Sequence, residues 1–131
     1  MKQIPMTSLN DNWKTPIKFK DELNKEFGFD FDPCPADPTF DGLAVDWGKS
    51  NFVNPPFSSI DKWVKKGFEE AQKGKTVVFL IPSRTDTRWW HDYIMKAKEI
   101  RFIKGRLKFD DQVNSAPFPS AIAIFMSKLI C

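Results

Sequence analysis

Cysteine, glycine and long apolar runs are all scarce in this sequence of 131 residues, and the scarcity excludes several classes of protein. The two cysteines, Cys34 and Cys131, are too few for a disulfide framework or a zinc site. The longest apolar stretch is about six residues, far below the ~20 that a membrane-spanning helix requires. We therefore expect a soluble protein of a reducing compartment, with no bound metal and no membrane partner.

The charge balance and the aromatic content narrow the remaining classes. The chain has 20 Lys and Arg against 17 Asp and Glu, so its formal charge of +3 permits a polyanionic partner without requiring one. Aromatic residues make up 15% of the chain, 13 of them Phe, and 10 prolines accompany them. This combination indicates rigid pockets with aromatic walls, although most of the phenylalanines are expected to fill the core.

The pattern of apolar residues predicts one α/β domain. No repeat or linker divides the chain, so we expect a single domain over residues 13–131 behind a flexible segment, residues 1–12. The predicted elements are, in order, a helix over Pro16–Phe27, a strand over Phe29–Asp32, a strand over 51–53, a helix over 58–73, a central strand over Thr76–Ile81, a helix over Asp86–Ala97, a strand from Ile100 through Lys108 that is interrupted at Gly105, and a last strand over Ser120–Met126. This order predicts a mostly parallel sheet with an antiparallel C-terminal edge hairpin.

The most informative segment, Asn54-Pro55-Pro56-Phe57, follows a predicted strand at the place where open α/β sheets bind ligands. Pro55 and Pro56 stiffen the backbone, so the Asn54 side-chain oxygen and the Pro55 carbonyl are fixed acceptors for the two hydrogens of an exocyclic amino group on a nucleobase. Accepting both directs the nitrogen lone pair at an electrophilic methyl group, and Phe57 is placed to stack on the same base. The alternative interpretation is a proline turn followed by a core phenylalanine.

Five further blocks accompany this segment, and together they give the sequence a family resemblance. The blocks are Trp13-Lys14-Thr15-Pro16, Phe31-Asp32-Pro33-Cys34, Gly42-Leu43-Ala44-Val45-Asp46-Trp47, Arg84-Thr85-Asp86-Thr87-Arg88-Trp89-Trp90-His91, and Gly105-Arg106-Leu107-Lys108-Phe109 with Ala116-Pro117-Phe118-Pro119-Ser120. In these blocks, over roughly residues 13–126, the chain resembles the phage-type DNA N-6-adenine-methyltransferases. The resemblance implies transfer of a methyl group from S-adenosylmethionine to adenine N6 in DNA, with the base flipped into the pocket. It also implies an abbreviated Rossmann-like methyltransferase sheet and a cytoplasmic location, in the host cell if the protein is phage-encoded.

The resemblance assigns roles only at the positions that match. The catalytic residues would be Asn54, Pro55, Pro56 and Phe57. The residues expected around S-adenosylmethionine are Trp13, Thr15, Pro16, Asp32, Pro33, Cys34 and Asp46, with Asp32 facing the methionine moiety. The residues expected on DNA are Arg84, Arg88, Lys104, Arg106 and Lys108.

The region after Asp32 departs from larger methyltransferases. Their cofactor loop is rich in glycine, whereas this chain has no glycine before Gly42, and Asn54 follows Pro33 by only 21 positions. Either Asp46 and Trp47 form an abbreviated adenosine site, or cofactor binding is weak. The alternative roles are a solvated loop carboxylate for Asp46 and a core side chain for Trp47.

Two groups of cations are the candidates for DNA contact. Arg84 directly follows the central strand, from which its guanidinium is expected to reach a phosphate or the cofactor carboxylate. Lys104, Arg106 and Lys108 alternate, so on a strand they would share one face that can follow a phosphate backbone. The alternative is a solvated edge whose charges prevent aggregation.

Two other functions are compatible with the same residues. The acceptors at Asn54 and Pro55 suit any exocyclic amino group, so the target could also be cytosine N4 or a base in RNA. The second alternative is a nucleic-acid-binding accessory protein of the same fold that has lost catalysis. The short pocket walls and the adjacent Trp89 and Trp90 are compatible with a homodimer.

Overall fold

The computed structural model of the chain describes residues 13–110 and 112–126. The elements, numbered along the chain, are helix α1 (Ile17–Phe27), strand β1 (Ser50–Val53), helix α2 (Ile60–Gln72), strand β2 (Thr76–Pro82), helix α3 (Arg88–Asp92), strand β3 (Glu99–Phe102) and strand β4 (Ser120–Met126). The segment 1–12, predicted to be flexible, and Cys131 lie outside the described residues. No helix in the described ranges is both long and apolar enough to cross a membrane.

The strands form one mixed sheet in the order β1-β2-β4-β3. The α/β class and the antiparallel C-terminal edge are confirmed, and the sheet is partly parallel where a mostly parallel sheet was expected. Only β1 and β2 pair in parallel, whereas β4 pairs antiparallel with both β2 and β3. The physical reason is the strand order: β4 lies between β2 and β3, so these two strands, which run in the same direction, do not pair with each other.

The strand predicted over Phe29–Asp32 is reduced to a single parallel bridge between Phe31 and Asn51. The carboxylate of Asp30 accepts hydrogen bonds from the backbone N–H groups of Lys49 (3.3 Å) and Ser50 (3.0 Å). Pro33 follows and has no N–H group with which to continue a ladder. The segment is therefore fixed beside β1 without forming a strand.

The helix predicted over Asp86–Ala97 is divided into α3 and a 3₁₀ turn over Ile94–Lys96. Its N-cap is Thr87, whose hydroxyl accepts the N–H of Trp90. By contrast, α1 ends as predicted at Gly28, which adopts a left-handed conformation with φ of 58°.

The strand predicted to continue through Lys104, Arg106 and Lys108 ends at Phe102, the last residue paired with β4. Gly105 has a φ of 74°, a left-handed conformation that turns the chain out of the ladder. The three cations are exposed on the following loop and do not share a strand face.

The core lies where α2 packs on the two central strands, β2 and β4. Both strands are buried along almost their whole length, as expected for strands covered on both faces. Gly67 permits the close approach of α2, since a Cβ atom there would lie 2.3 Å from the ring of Phe79.

A buried carboxylate attaches the irregular chain before β1 to the end of α2. Glu70 accepts hydrogen bonds from the backbone N–H of Trp47 (2.7 Å), from Lys73 (2.6 Å) and from Lys75 (2.7 Å), and Lys66 lies 3.9 Å away. Burial acts to raise the pKa of the Glu70 carboxyl, but these hydrogen bonds and charges outweigh it and lower the pKa to about 2. The long loop before β1 is thereby fixed without secondary structure of its own.

Candidate active site

A cleft of about 320 Å³ opens beside the carboxyl end of β1. Its walls come from the segment before α1, the first turns of α1, the loop after Asp32 and the end of β1. The residues that line it are Trp13, Lys14, Thr15, Ile17, Lys20, Asp21, Asp32, Cys34, Pro35, Ala36, Phe52, Asn54 and Asp110. The cleft thus brings together Asn54 and the predicted cofactor residues Trp13, Thr15, Asp32 and Cys34. We refer to it as the first cleft.

The other predicted cofactor residues do not line the first cleft. Pro16 is the N-cap residue of α1, and Pro33 is buried, with its carbonyl oxygen against Gly42. Asp46 is a solvated carboxylate, 86% exposed, whose nearest cation is Lys73 at 3.5 Å. An adenosine site built on Asp46 is therefore not part of this cleft.

Trp47 is a core residue in this structure. It is 4% exposed, stacks on Trp63 at 6.2 Å between ring centroids, and donates its indole N–H to the carbonyl of Gly42 at 2.7 Å. Of the two roles open to Trp47 in the sequence, the structure therefore supports the core role.

The Asn54 carboxamide is held by hydrogen bonds at its nitrogen end. Its Nδ2 donates hydrogen bonds to the carbonyl of Trp13 and to Oγ1 of Thr15 (3.0 Å). No group of the described residues donates to its Oδ1. Because both N–H bonds are directed at Trp13 and Thr15, the oxygen is the end of the amide that remains for a ligand.

The segment that holds Asn54 is itself held by Asp110. The carboxylate of Asp110 accepts the N–H of Ile17 (3.0 Å), one of the unpaired donors at the start of α1. The backbone N–H of Asp110 donates to the carbonyl of Lys14 (3.1 Å). The loop after β3 therefore sets the position of one wall of the first cleft.

An ion pair lies inside the first cleft. Lys20 Nζ is 3.4 Å from Asp32 Oδ2, and both side chains are about one-third exposed. Asp32 Oδ1 accepts the N–H of Cys34 at 3.0 Å, so Asp32 is both a turn residue and a cleft residue. Counting all lining side chains, Lys14 and Lys20 stand against three carboxylates, Asp21, Asp32 and Asp110, which leaves a net charge of −1.

Phe57 is largely a core residue. Its ring is 8% exposed, stacks on Trp13 at 6.0 Å and meets Phe118 edge-on at 5.1 Å. Phe109 completes this aromatic cluster against Trp13 and Phe118. Pro55 is buried and Pro56 half-buried, and the carbonyl of Pro56 accepts the N–H of Ser59, which begins the turn into α2.

A second cleft, of about 570 Å³, lies between the start of α2 and α3. Its lining residues are Phe57, Ile60, Asp61, Lys62, Lys65, Arg88, Trp89, Asp92 and Tyr93. Phe57 is therefore the residue through which the Asn54 segment reaches it. We refer to it as the second cleft.

The predicted DNA-binding residues differ in their relation to the two clefts. Arg88 lines the second cleft, whereas Arg84 is exposed and lines neither cleft. Lys104, Arg106 and Lys108 are exposed on the loop after β3 and form no ion pair within the described ranges.

Sequence reasoning missed four polar residues of the first cleft, Lys14, Lys20, Asp21 and Asp110. A local signal was available for Lys20, because Ile17, Lys20 and Asp21 share the helix face that follows the Thr15 block. No local signal exists for Asp110, which reaches the cleft through the tertiary fold. Among the described residues no group of three or more His, Cys, Asp or Glu side chains is arranged to hold a metal ion.

Comparisons with known proteins identify the family of the chain. The sequence profile of the family described as DNA N-6-adenine-methyltransferase (Dam) matches residues 4–128 of this chain. A curated relative, a DNA N-6-adenine-methyltransferase of Escherichia phage T1, is 28% identical over 120 residues, which cover 82% of this chain and 50% of the relative. The chain thus spans about half the length of the curated relative that it matches. The family resemblance carried by the sequence blocks is confirmed.

Proposed function

Since the chain belongs to the DNA N-6-adenine-methyltransferase (Dam) family, we propose that it transfers a methyl group from S-adenosylmethionine to the N6 amino group of adenine in DNA. The observation that carries the proposal is the Asn54 carboxamide, which is held through its nitrogen so that its oxygen remains for a ligand. The fold assigned to this activity is an abbreviated Rossmann-like methyltransferase sheet, with the site beside the carboxyl end of β1.

The chemistry of the first cleft fits S-adenosylmethionine. Lys20 matches the carboxylate of the methionine moiety and Asp32 its ammonium group, and the two side chains already lie 3.4 Å apart. The net charge of −1 on the lining side chains suits a molecule whose sulfonium and ammonium groups outnumber its carboxylate. When bound, this cofactor supplies an electrophilic methyl carbon on a positively charged sulfur.

The proposed role of Asn54 is to accept a hydrogen of the adenine amino group through Oδ1, with the Pro55 carbonyl as the second acceptor. Two accepted hydrogen bonds withdraw the nitrogen lone pair from conjugation with the ring and direct it at the methyl carbon. In this transfer the carbon–nitrogen bond would form as the methyl–sulfur bond breaks, S-adenosylhomocysteine would leave, and the methylated nitrogen would give up one proton to solvent. The fixed oxygen of Asn54 would stabilise the positive charge that develops on the nitrogen more than it stabilises the neutral amine. Thr15 acts through Asn54, as a positioning residue that holds the amide.

The proposed partner is DNA, and the proposed location is the cytoplasm. We propose separately that a second copy of the chain is a partner. Trp90 is 2% exposed, so of the tryptophan pair only Trp89, which is half-buried, is available to a partner. Sedimentation over a range of concentrations tests the dimer.

The activity is tested by identifying the modified base. The chain is incubated with S-adenosylmethionine labelled in the methyl group and with unmethylated DNA or RNA in separate reactions, and the digested nucleosides are identified by mass spectrometry. N6-methyladenine in DNA is expected. N4-methylcytosine, or label confined to RNA, would support the amino-methyltransferase alternatives. DNA binding without any transfer would support the accessory-protein alternative.

A further inference from the structure

The second cleft carries features that the proposed transfer site does not use. Its aromatic wall consists of Phe57, Trp89 and Tyr93, and its cations are Lys62, Lys65 and Arg88. The cations are exposed, and none of them forms an ion pair with any described residue. Cations without partners along an aromatic wall are the combination with which proteins bind a single nucleic-acid strand.

Trp89 is the side chain best placed to take a base. It is half-buried, and its ring contacts the buried Trp90 in a tilted arrangement at 6.0 Å between centroids, so the ring is supported on one side. Tyr93 is similarly supported by Phe68 at 5.6 Å. A supported ring loses little conformational freedom on stacking, which favours its use as a platform.

The charges of the second cleft suit a nucleotide better than a uniformly charged partner. Lys62, Lys65 and Arg88 stand against Asp61 and Asp92, which leaves a net charge of +1 on the lining side chains. The cations suit phosphates, and carboxylates can accept hydrogen bonds from the amino groups of bases.

The second cleft is lined by a residue close in sequence to Asn54, which is proposed to bind the reacting base. Asn54 lines the first cleft, and Phe57, three residues later, lines the second. We propose that the second cleft binds a nucleotide that neighbours the target adenine on the same DNA strand, with its base on Trp89 and its phosphates near Lys62, Lys65 and Arg88. This inference rests on the proposed function in taking DNA as the substrate.

The test is a fluorescence-anisotropy titration of labelled single-stranded and duplex oligonucleotides at several salt concentrations. The variants are Lys62→Ala/Lys65→Ala, Trp89→Ala and the conservative Trp89→Tyr. The matched control is Lys18→Ala/Lys49→Ala, which removes the same charge from exposed residues outside both clefts. Circular dichroism and thermal melting of each variant establish that it is folded, and calorimetry with S-adenosylhomocysteine reports on the first cleft.

The inference predicts that the double lysine variant binds DNA more weakly than the control and flattens the slope of log K against log salt by up to ~2 units. Trp89→Ala is expected to weaken single-strand binding by about 5- to 150-fold, the equivalent of ~1–3 kcal/mol for one stacked base, and Trp89→Tyr to retain most of it. Affinity for S-adenosylhomocysteine is expected to be unchanged in all of these variants.

Two results would overturn the inference. One is DNA binding by the cleft variants that equals the control. The other is a change in self-association in place of DNA binding, which would make the second cleft an interface between copies of the chain. The proposed function fails separately: absence of methyl transfer with intact, cleft-dependent DNA binding would refute the activity and leave the binding site standing.

Discussion

The orientation of one carboxamide decides whether the first cleft can activate an amino group. Asn54 presents its oxygen because both of its N–H bonds are occupied by Trp13 and Thr15. An amide that is free to flip would present a donor half of the time, and a donor repels the hydrogens of an amino group. In the proposed reaction, the acceptor role of Asn54 would therefore depend on the Trp13 carbonyl and on Thr15, which hold the amide.

Replacing Asn54 tests this role. Asn54→Ala is expected to lower the rate of methyl transfer by ~10²–10³, the effect of removing one preorganised polar group, because the lost oxygen acts on charge that develops in the transition state. Cofactor affinity is expected to change little. Single-turnover transfer to DNA and calorimetric titration with S-adenosylhomocysteine measure the two effects separately.

The control for this substitution is Asn114→Ala, at an exposed asparagine outside both clefts. Transfer by Asn54→Ala at the rate of the control would mean that the segment is a structural turn, and the enzyme proposal would fail with it.

Phe57 is expected to respond to substitution as a core residue. Its ring is 8% exposed and packs against Trp13 and Phe118. Phe57→Ala is expected to lower the free energy of unfolding by ~3–5 kcal/mol, because it leaves a cavity inside the aromatic cluster. Phe102→Ala, at a ring that is 66% exposed, is the control and is expected to have a much smaller effect in chemical denaturation. Equal stabilities for the two variants would contradict the core role and favour a free stacking face.

Among the secondary-structure elements, those with a strong local signal were predictable from sequence. The spacing of Ile60, Trp63 and Val64 predicted the buried face of α2, and the apolar run from Thr76 predicted β2. The extent of a strand depends on its partner, which is why the bridge at Phe31 and the end of β3 at Phe102 were not predictable from alternation.

The residues of the candidate site also divide into those with a local sequence signal and those without one. Blocks of consecutive residues identified Asn54, Asp32 and Thr15, and the first cleft contains all three. Asp110 enters the cleft through the loop after β3, far away in sequence, and no local pattern indicates that approach.

A separate experiment tests whether the cations on the loop after β3 contact DNA. Lys104, Arg106 and Lys108 are exposed and have no ion-pair partner among the described residues, so they remain available to phosphates although they are not on a strand. Replacing all three with Ala is expected to weaken DNA binding at every sequence and to reduce the salt slope by up to ~3 units, about one per lost contact.

The control for the loop variant replaces Lys18, Lys25 and Lys49 with Ala, which removes the same charge from exposed positions outside the loop. An equal salt dependence in the two triple variants would identify the loop as a solvated surface that does not contact DNA.

For the molecule as a whole, stability at acid pH is expected to depend on Glu70. Its pKa is lowered to about 2 in the folded state from an ordinary value of 4.5, so between these values the unfolded chain binds more protons and stability falls as the pH falls. The shift corresponds to ~3 kcal/mol, which is fully present above about pH 4.5.

Glu70→Gln is expected to reduce the free energy of unfolding at neutral pH and to flatten its decline between pH 4.5 and 2. Urea denaturation at a series of pH values measures both effects. If the free energy of unfolding of Glu70→Gln falls between pH 4.5 and 2 as steeply as that of the parent, another carboxyl group governs the loss of stability at acid pH.

The chain spans about half the length of its curated relative, so whether this length suffices to hold the methyl donor is the decisive question. Calorimetric titration with S-adenosylhomocysteine answers it, with Asp32→Asn as the cleft variant and Asp46→Asn as the matched control outside the cleft. We predict saturable binding of one ligand per chain, weakened about 10- to 150-fold by Asp32→Asn through the loss of a charge-assisted hydrogen bond of ~1.5–3 kcal/mol, and unchanged by Asp46→Asn. No binding by the folded parent, or a loss confined to Asp46→Asn, would contradict the assignment of the first cleft.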